Sequence, residues 1–138
     1  MLKTKDGRVS IGLMSSKTDK WNTPSRLLEE IRIEFGNYFD PCPPNASFDG
    51  LCIPWIGLIY CNPPYGRAIS KWLKKGADEI AGGRATKIVW LLPARTDTRW
   101  FHEVVYPLAS EIRFIRGRLH FNDGPQGAPF PSMIVVWK

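Results

Sequence analysis

The stretch that most restricts this chain is Cys61-Asn62-Pro63-Pro64-Tyr65-Gly66, which follows directly on the apolar run Trp55-Ile56-Gly57-Leu58-Ile59-Tyr60. Two consecutive prolines lack backbone N–H groups and hold φ nearly fixed, so a sheet ladder cannot continue through them. The apolar run must end there as a strand and leave as a stiff loop whose carbonyls point outward. Such a loop presents hydrogen-bond acceptors without flexibility. The plainer alternative is a rigid strand-to-helix turn with Tyr65 packed on the core.

The segments around this loop alternate between strand and helix. Upstream, Thr23-Pro24 has the form of a helix start, a hydroxyl cap with proline at the first helical position, and Leu27, Leu28, Ile31 and Phe35 recur near helical spacing before Gly36. Tyr38-Phe39-Asp40 reads as a short strand ending in an acid, where open α/β sheets place ligands. Downstream, Ile69, Trp72, Leu73, Gly76, Ala77 and Ile80 form an amphipathic helical stripe that Gly82-Gly83 ends. Ile88 to Leu92 is apolar without alternation, as in a central parallel strand covered on both faces. A helix capped by Asp97 or Thr98 follows, with Trp100, Phe101, Val104, Val105 and Leu108 on its stripe and Pro107 in its last turn. The last strands are Glu111 to Arg116 and Ser132 to Trp137, joined by a polar, glycine- and proline-rich connection, 117–131. The order predicts an α/β protein: a compact, trimmed Rossmann-like fold with a mostly parallel sheet and a C-terminal antiparallel strand.

A chain of 138 residues supports one core, and the domain is expected over residues 21–138 behind a flexible polar arm, 1–20. That is too short for a separate recognition module, so a substrate must be read by loops or by a second subunit. The formal charge of +6 and pI near 9.4 favour a polyanionic partner. Cys42, Cys52 and Cys61 are odd in number and form no clustered metal-binding pattern, which suits reduced thiols and no metal. No apolar run approaches membrane-spanning length, and a soluble cytoplasmic protein is expected.

Asn62-Pro63-Pro64-Tyr65 resembles the (Asp/Asn)-Pro-Pro-(Tyr/Phe) motif of amino-methyltransferases that use S-adenosylmethionine. The wider chain is similar to the small phage-type DNA adenine methyltransferases of the Dam type. Matching segments are Trp21-Asn22-Thr23-Pro24, Glu34-Phe35-Gly36, Phe39-Asp40, Asp49-Gly50-Leu51, Trp55, Cys61 to Arg67, Leu91 to Thr96, Gly117-Arg118-Leu119 and Ala128-Pro129-Phe130, in that order. The resemblance implies a methyltransferase fold, S-adenosylmethionine as cofactor, double-stranded DNA with an adenine-containing site as partner, and a phage or prophage origin within a bacterial host cell. It places Asn62, Pro63, Pro64 and Tyr65 in catalysis. Trp21, Thr23, Pro24, Asp40, Asn45, Asp49 and Asn62 are expected at the cofactor, and Arg67, Arg95, Arg99, Arg116, Arg118 and His120 at DNA. Whether the protein acts as a homodimer is left open.

The chain departs from the pattern at one place. A glycine-rich turn usually follows the acid at position 40, but here Pro41-Cys42-Pro43-Pro44-Asn45-Ala46 does. Prolines remove amide donors, so Asn45 or the amides beyond it are expected to substitute. Only 21 residues separate Asp40 from Asn62, too few for two further βα units. Asp49 either reaches the adenosine or caps a turn before Gly50.

An exocyclic adenine amine is a weak nucleophile because its lone pair is delocalised into the ring. If Asn62 Oδ1 and the Pro63 carbonyl each accept one amine hydrogen, the lone pair is steered toward a sulfonium methyl, and positioning does most of the work. Tyr65 would stack on an extruded base. Cytosine ring methylation through Cys42 is rejected, since that chemistry has no use for Asn-Pro-Pro-Tyr. The alternatives retained are amino methylation of RNA or of a protein amide, and a catalytically silent DNA-binding relative.

Overall fold

The computed structural model describes residues 21–138; the expected arm over 1–20 lies outside the described residues. Helix α1 spans Ser25–Phe35, strand β1 Gly57–Cys61, helix α2 Ile69–Ala81 and strand β2 Ala85–Pro93. A helical stretch over 99–108, α3, leads without a loop into β3, Ala109–Phe114, and β4 is Ser132–Trp137.

The sheet order is β1-β2-β4-β3, with β1–β2 parallel and both ladders of β4 antiparallel. The sheet is therefore mixed, which corrects the mostly parallel arrangement expected from the sequence. The reason is β4, which inserts between β2 and β3 and supplies two of the three ladders. The Tyr38–Asp40 segment contributes a single parallel bridge, Phe39 to Ile59, instead of a strand. Asp40, the end of β1 and the end of β2 consequently lie at one carboxyl edge, and β3, antiparallel to β4 as β2 is, ends there too. Between Asp40 and β1 the only helical turn is the short Gly50–Cys52, so the sheet is trimmed as the short spacing required.

The apolar stripe of α2 packs on the sheet, with Ile69, Trp72, Leu73 and Gly76 buried. Gly76 lets helix and sheet approach closely, because a Cβ there would lie 2.4 Å from Trp90 Cζ2. Trp55, Trp90 and Trp137 are fully buried, and Trp55 stacks on Trp72 at 6.1 Å between ring centroids. Glu79, which lies off the apolar stripe, is also buried. Its Oε1 accepts the Trp55 amide (2.8 Å) and Arg84 Nε (2.9 Å), and Oε2 accepts Lys75 Nζ (3.2 Å). The Arg84 hydrogen bond chiefly holds its carboxyl down, to about 2.

Three local expectations are corrected. Thr23 does not cap α1: Pro24 occupies the cap position, and the Ser25 amide is met by Asp123 Oδ1 at 3.0 Å from across the fold. Helix α3 is not regular, since Phe101–Val105 is π-helical before Tyr106–Leu108. Thr98 supplies its start, accepting the Phe101 amide at 3.2 Å. Strand β3 begins two residues before the expected Glu111 and ends at Phe114.

Candidate active site

The loop after β1 is anchored by a backbone carbonyl and a side chain of the segment that leads into α1. Asn62 Nδ2 donates to the Trp21 carbonyl and to Thr23 Oγ1 at 3.1 Å. Thr23 Oγ1 in turn shares a 2.6 Å hydrogen bond with the Tyr60 hydroxyl, whose pKa burial pushes well up. Because the Trp21 carbonyl only accepts, the amide orientation follows: Nδ2 faces Trp21 and Oδ1 points away. Asn62 Oδ1 is buried and has no hydrogen-bond partner. A buried acceptor without a donor is costly, about 1–3 kcal/mol, and it marks a place where a donor fits. Among the described residues no donor reaches the Pro63 carbonyl either.

Two cavities adjoin this loop, and Trp21 borders both. The first, about 440 Å³, is lined by Thr23, Asp40, Asn45, Asn62 and Pro63, with Leu28, Pro43 and Pro44 as apolar walls. Asp40 is half-buried there. Burial raises its carboxyl to about 6 despite the 2.8 Å hydrogen bond that Oδ1 accepts from the Cys42 amide. Asn45 takes φ of +56°, the left-handed conformation that asparagine tolerates best after glycine. It makes the turn that a glycine would otherwise make. Gly50 allows a close backbone approach below this turn, since a Cβ would fall 1.9 Å from the Pro41 oxygen.

Asp49 lies in an adjoining open groove with Phe48 and Trp72. Its Oδ1 accepts the Leu51 amide at 3.0 Å and its Oδ2 the Cys52 thiol at 3.3 Å, so it caps the turn before Gly50. Pro24 serves the α1 cap. The three cysteines are free, and burial pushes the Cys42 thiol up to about 11. No His, Cys, Asp or Glu cluster among the described residues could hold a metal ion.

The second cavity, also about 440 Å³, is lined by Tyr65, Ile69, Pro93, Arg95, Thr98, Trp100 and Phe130. The Tyr65 ring is buried, its hydroxyl donates to the Leu91 carbonyl at 3.3 Å, and Phe130 meets it edge-on at 5.6 Å. It thus packs in the core and borders the cavity at once. Arg95 is exposed, with its guanidinium 5.7 Å from the Phe130 ring centroid. In the sequence, Trp100 is among the tryptophans that could add a stacking surface beside Tyr65, and Pro93 falls in the matching segment Leu91 to Thr96; Thr98 is expected only as a helix cap.

Arg67, Arg99, Arg116, Arg118 and His120 are all exposed. Arg99 Nε pairs with Glu103 at 3.3 Å, Arg118 Nη1 donates to the Ala128 carbonyl at 3.2 Å, and His120 Nδ1 lies 3.2 Å from the Gly124 carbonyl. The 117–131 connection is therefore internally braced. It also locks the entry to α1: Asn122 N donates to the Asn22 carbonyl at 2.8 Å, Asn22 N to Asn122 Oδ1 at 3.0 Å, and Ser25 Oγ to Asp123 Oδ2 at 2.6 Å. Phe121 and Phe130 insert beneath, each meeting Trp21 edge-on. Asn122 and Asp123 both adopt positive φ, which short polar side chains tolerate.

An α/β sheet with an acid and an acceptor-bearing proline loop at one carboxyl edge is compatible with a methyltransferase-like fold. Residues 12–138 match the family described as DNA N-6-adenine-methyltransferase (Dam), and the chain belongs to that family of DNA methyltransferases. No curated protein matches the chain. No described helix is long and apolar enough to cross a membrane.

Proposed function

We propose that the chain transfers a methyl group from S-adenosylmethionine to the exocyclic amine of an adenine extruded from double-stranded DNA. The observation that carries this proposal is the buried, unpartnered Asn62 Oδ1, fixed in direction by the two hydrogen bonds that its amide donates. It is an acceptor held ready for an N–H that the fold does not supply.

The first cavity suits the cofactor by the chemistry of its lining. Asp40 offers a carboxylate for an ammonium, Asn45 an exposed polar turn, and Trp21, Leu28, Pro43 and Pro44 an apolar wall. S-adenosylmethionine supplies a methyl group activated on a sulfonium that leaves as a neutral thioether. Asn62 Oδ1 accepts one amine hydrogen and the Pro63 carbonyl the other, which turns the nitrogen lone pair out of the ring plane. The amine nitrogen gains the methyl, and its surplus proton passes to solvent. Asn62 cannot act as a strong base and need not, because the nitrogen becomes acidic once alkylated. Tyr65 holds the loop to β2 through the Leu91 carbonyl. The base enters by the second cavity, with Tyr65, Trp100 and Phe130 as its aromatic walls and Arg95 at its mouth, and its amine must pass Trp21, which borders both cavities, to reach Asn62 and Pro63 in the first. Arg67, Arg116, Arg118 and His120 lie along the same carboxyl edge as exposed partners for phosphates.

The test is incubation with labelled S-adenosylmethionine and duplex DNA, followed by nuclease digestion and mass spectrometry of the nucleosides. N6-methyladenine is expected. Label that enters RNA or protein offered in parallel reactions but not the DNA, or that enters cytosine alone, would overturn the proposal.

A further inference from the structure

We propose that two copies of the chain pair along β3, whose sequence is complementary to itself in one antiparallel register. Among the described residues β3 pairs only with β4, and its outer side is an open sheet edge. The Ile115 amide donates to the Ser132 carbonyl at 3.0 Å, so residue 115 faces β4. By the alternation of an antiparallel ladder, Arg113 and Glu111 face β4 with their backbone groups, and those of Ile112 and Phe114 point outward.

Three registers would centre a two-fold axis on the charged part of this edge. Centring on Glu111 sets Glu111 against its own copy, and centring on Arg113 sets arginine against arginine. Like charges directly opposite are destabilising. Centring on Ile112 sets Glu111 against Arg113 of the second copy and Ile112 against Ile112. It also brings the outward N–H and C=O of Ile112 into a mutual pair of hydrogen bonds. Only this register satisfies charge and backbone together.

Charges on an edge strand ordinarily guard it against pairing. Here they guard it less, because Glu111 and Arg113 are already paired within each protomer, the cluster of one arginine with Glu34 and Glu111 carrying a net charge of −1. Arg113 Nη1 donates to Glu34 Oε1 at 2.7 Å and its Nε to Glu111 Oε2 at 2.6 Å. Pairing joins two such clusters across the axis. Apolar surface points the same way: Phe114 and Tyr106 are each 64% exposed and Leu108 40%, and the register lays Phe114 of one copy beside Ser110 of the other, near its α3 end. The two carboxyl edges then point in opposite directions along a continuous eight-stranded sheet, and both catalytic edges remain uncovered. A six-residue edge is a small interface, so association in the micromolar range is expected, short of a permanent dimer.

The full chain is tested by sedimentation equilibrium across a concentration series, with Glu111→Arg beside it. A monomer–dimer equilibrium is expected, weakened at least tenfold by Glu111→Arg, with circular dichroism unchanged. Ile112→Cys, made like its control with the exposed Cys52 replaced by Ser, reports the register separately. Opposed residues of a hydrogen-bonded pair have Cα atoms about 5.5 Å apart, within disulfide range. Mild oxidation should yield a linked dimer whose bridge maps to position 112 in both copies, and Ile33→Cys, on α1, should not link. A chain that stays monomeric throughout, a dimer indifferent to Glu111→Arg, or bridges that map elsewhere would each overturn the pairing.

Discussion

Asn62→Asp is the perturbation that separates two roles of one side chain. The substitution keeps an oxygen where Oδ1 stands and is nearly isosteric, so a side chain needed only as an acceptor would tolerate it. Here Nδ2 is equally engaged, because it holds the Trp21 carbonyl and Thr23 Oγ1. A carboxylate puts an acceptor against an acceptor and leaves a half-buried carbonyl unpaired. That should cost about 2 kcal/mol, within the range for an unsatisfied polar group. For a chain of 138 residues this corresponds to a fall in Tm of roughly 8 °C. If the same energy is lost from the reacting arrangement, turnover falls about 30-fold. The pH dependence fixes the cause. Set against a carbonyl, the new carboxyl has a folded pKa above its unfolded value. Protonated, it can donate to Trp21, so the deficit is absent below the unfolded pKa and develops as pH rises through the folded one. Scanning calorimetry of variant and parent at pH 3.5, below the ordinary carboxyl pKa of about 3.9, and at pH 8, with single-turnover methyl transfer at pH 8, measures both effects. A variant with unchanged Tm at both pH values and undiminished turnover would refute the orienting role of the amide.

Other perturbations address the surroundings. Asp40 has its folded pKa raised to about 6, so its charge appears as pH rises through that value; S-adenosylmethionine affinity should fall severalfold from pH 7.5 to 5.5 by calorimetry, and Asp40→Asn should weaken binding and flatten the profile. For Glu79 the sign is opposite. Its folded pKa lies near 2, below the ordinary value of 4.5, so its stabilisation is present above about 4.5 and is lost as pH falls toward 2. Glu79→Gln, which keeps an acceptor for the Trp55 amide, should cost about 1–3 kcal/mol at pH 7 and less at pH 3 in urea titrations. Asp123→Ala removes the cap of α1 supplied from the 117–131 connection; a loss of about 1 kcal/mol is expected, with weaker cofactor binding because Trp21 and Thr23 are released together.

What the sequence made legible was local and periodic. The α2 stripe is set by a 3.6-residue repeat, the unbroken apolar run of β2 by burial on both faces, and the exit of β1 by two prolines. The trimmed sheet followed from 21 residues of chain. The missed features depend on distant partners. Glu79 looks like a solvated residue, and only Arg84, Lys75 and the Trp55 amide make its burial tolerable. The antiparallel course of β4 was anticipated, but its place between β2 and β3 is written in no single segment. Thr23-Pro24 has a cap's local form, yet Asp123, 98 residues from Ser25, takes that work and frees Thr23 for Asn62 and Tyr60. At the site, the stiff exit from β1 was plain from the two prolines that follow the apolar run. Its supports, Trp21's carbonyl and the Asn122–Asn22 lock, were not, since backbone carbonyls and loop asparagines carry no pattern.

The most direct measurement is single-turnover methyl transfer by Asn62→Ala to adenine N6 in duplex DNA, with S-adenosylmethionine and DNA affinities taken on the same preparation. Loss of at least about a hundredfold in the transfer rate is predicted, the scale for removing one preorganised hydrogen-bonding group, with both affinities within severalfold of the parent. A variant that folds, binds both substrates and still methylates adenine at a near-parent rate would contradict the assignment of Asn62 Oδ1 as the acceptor that activates the amine.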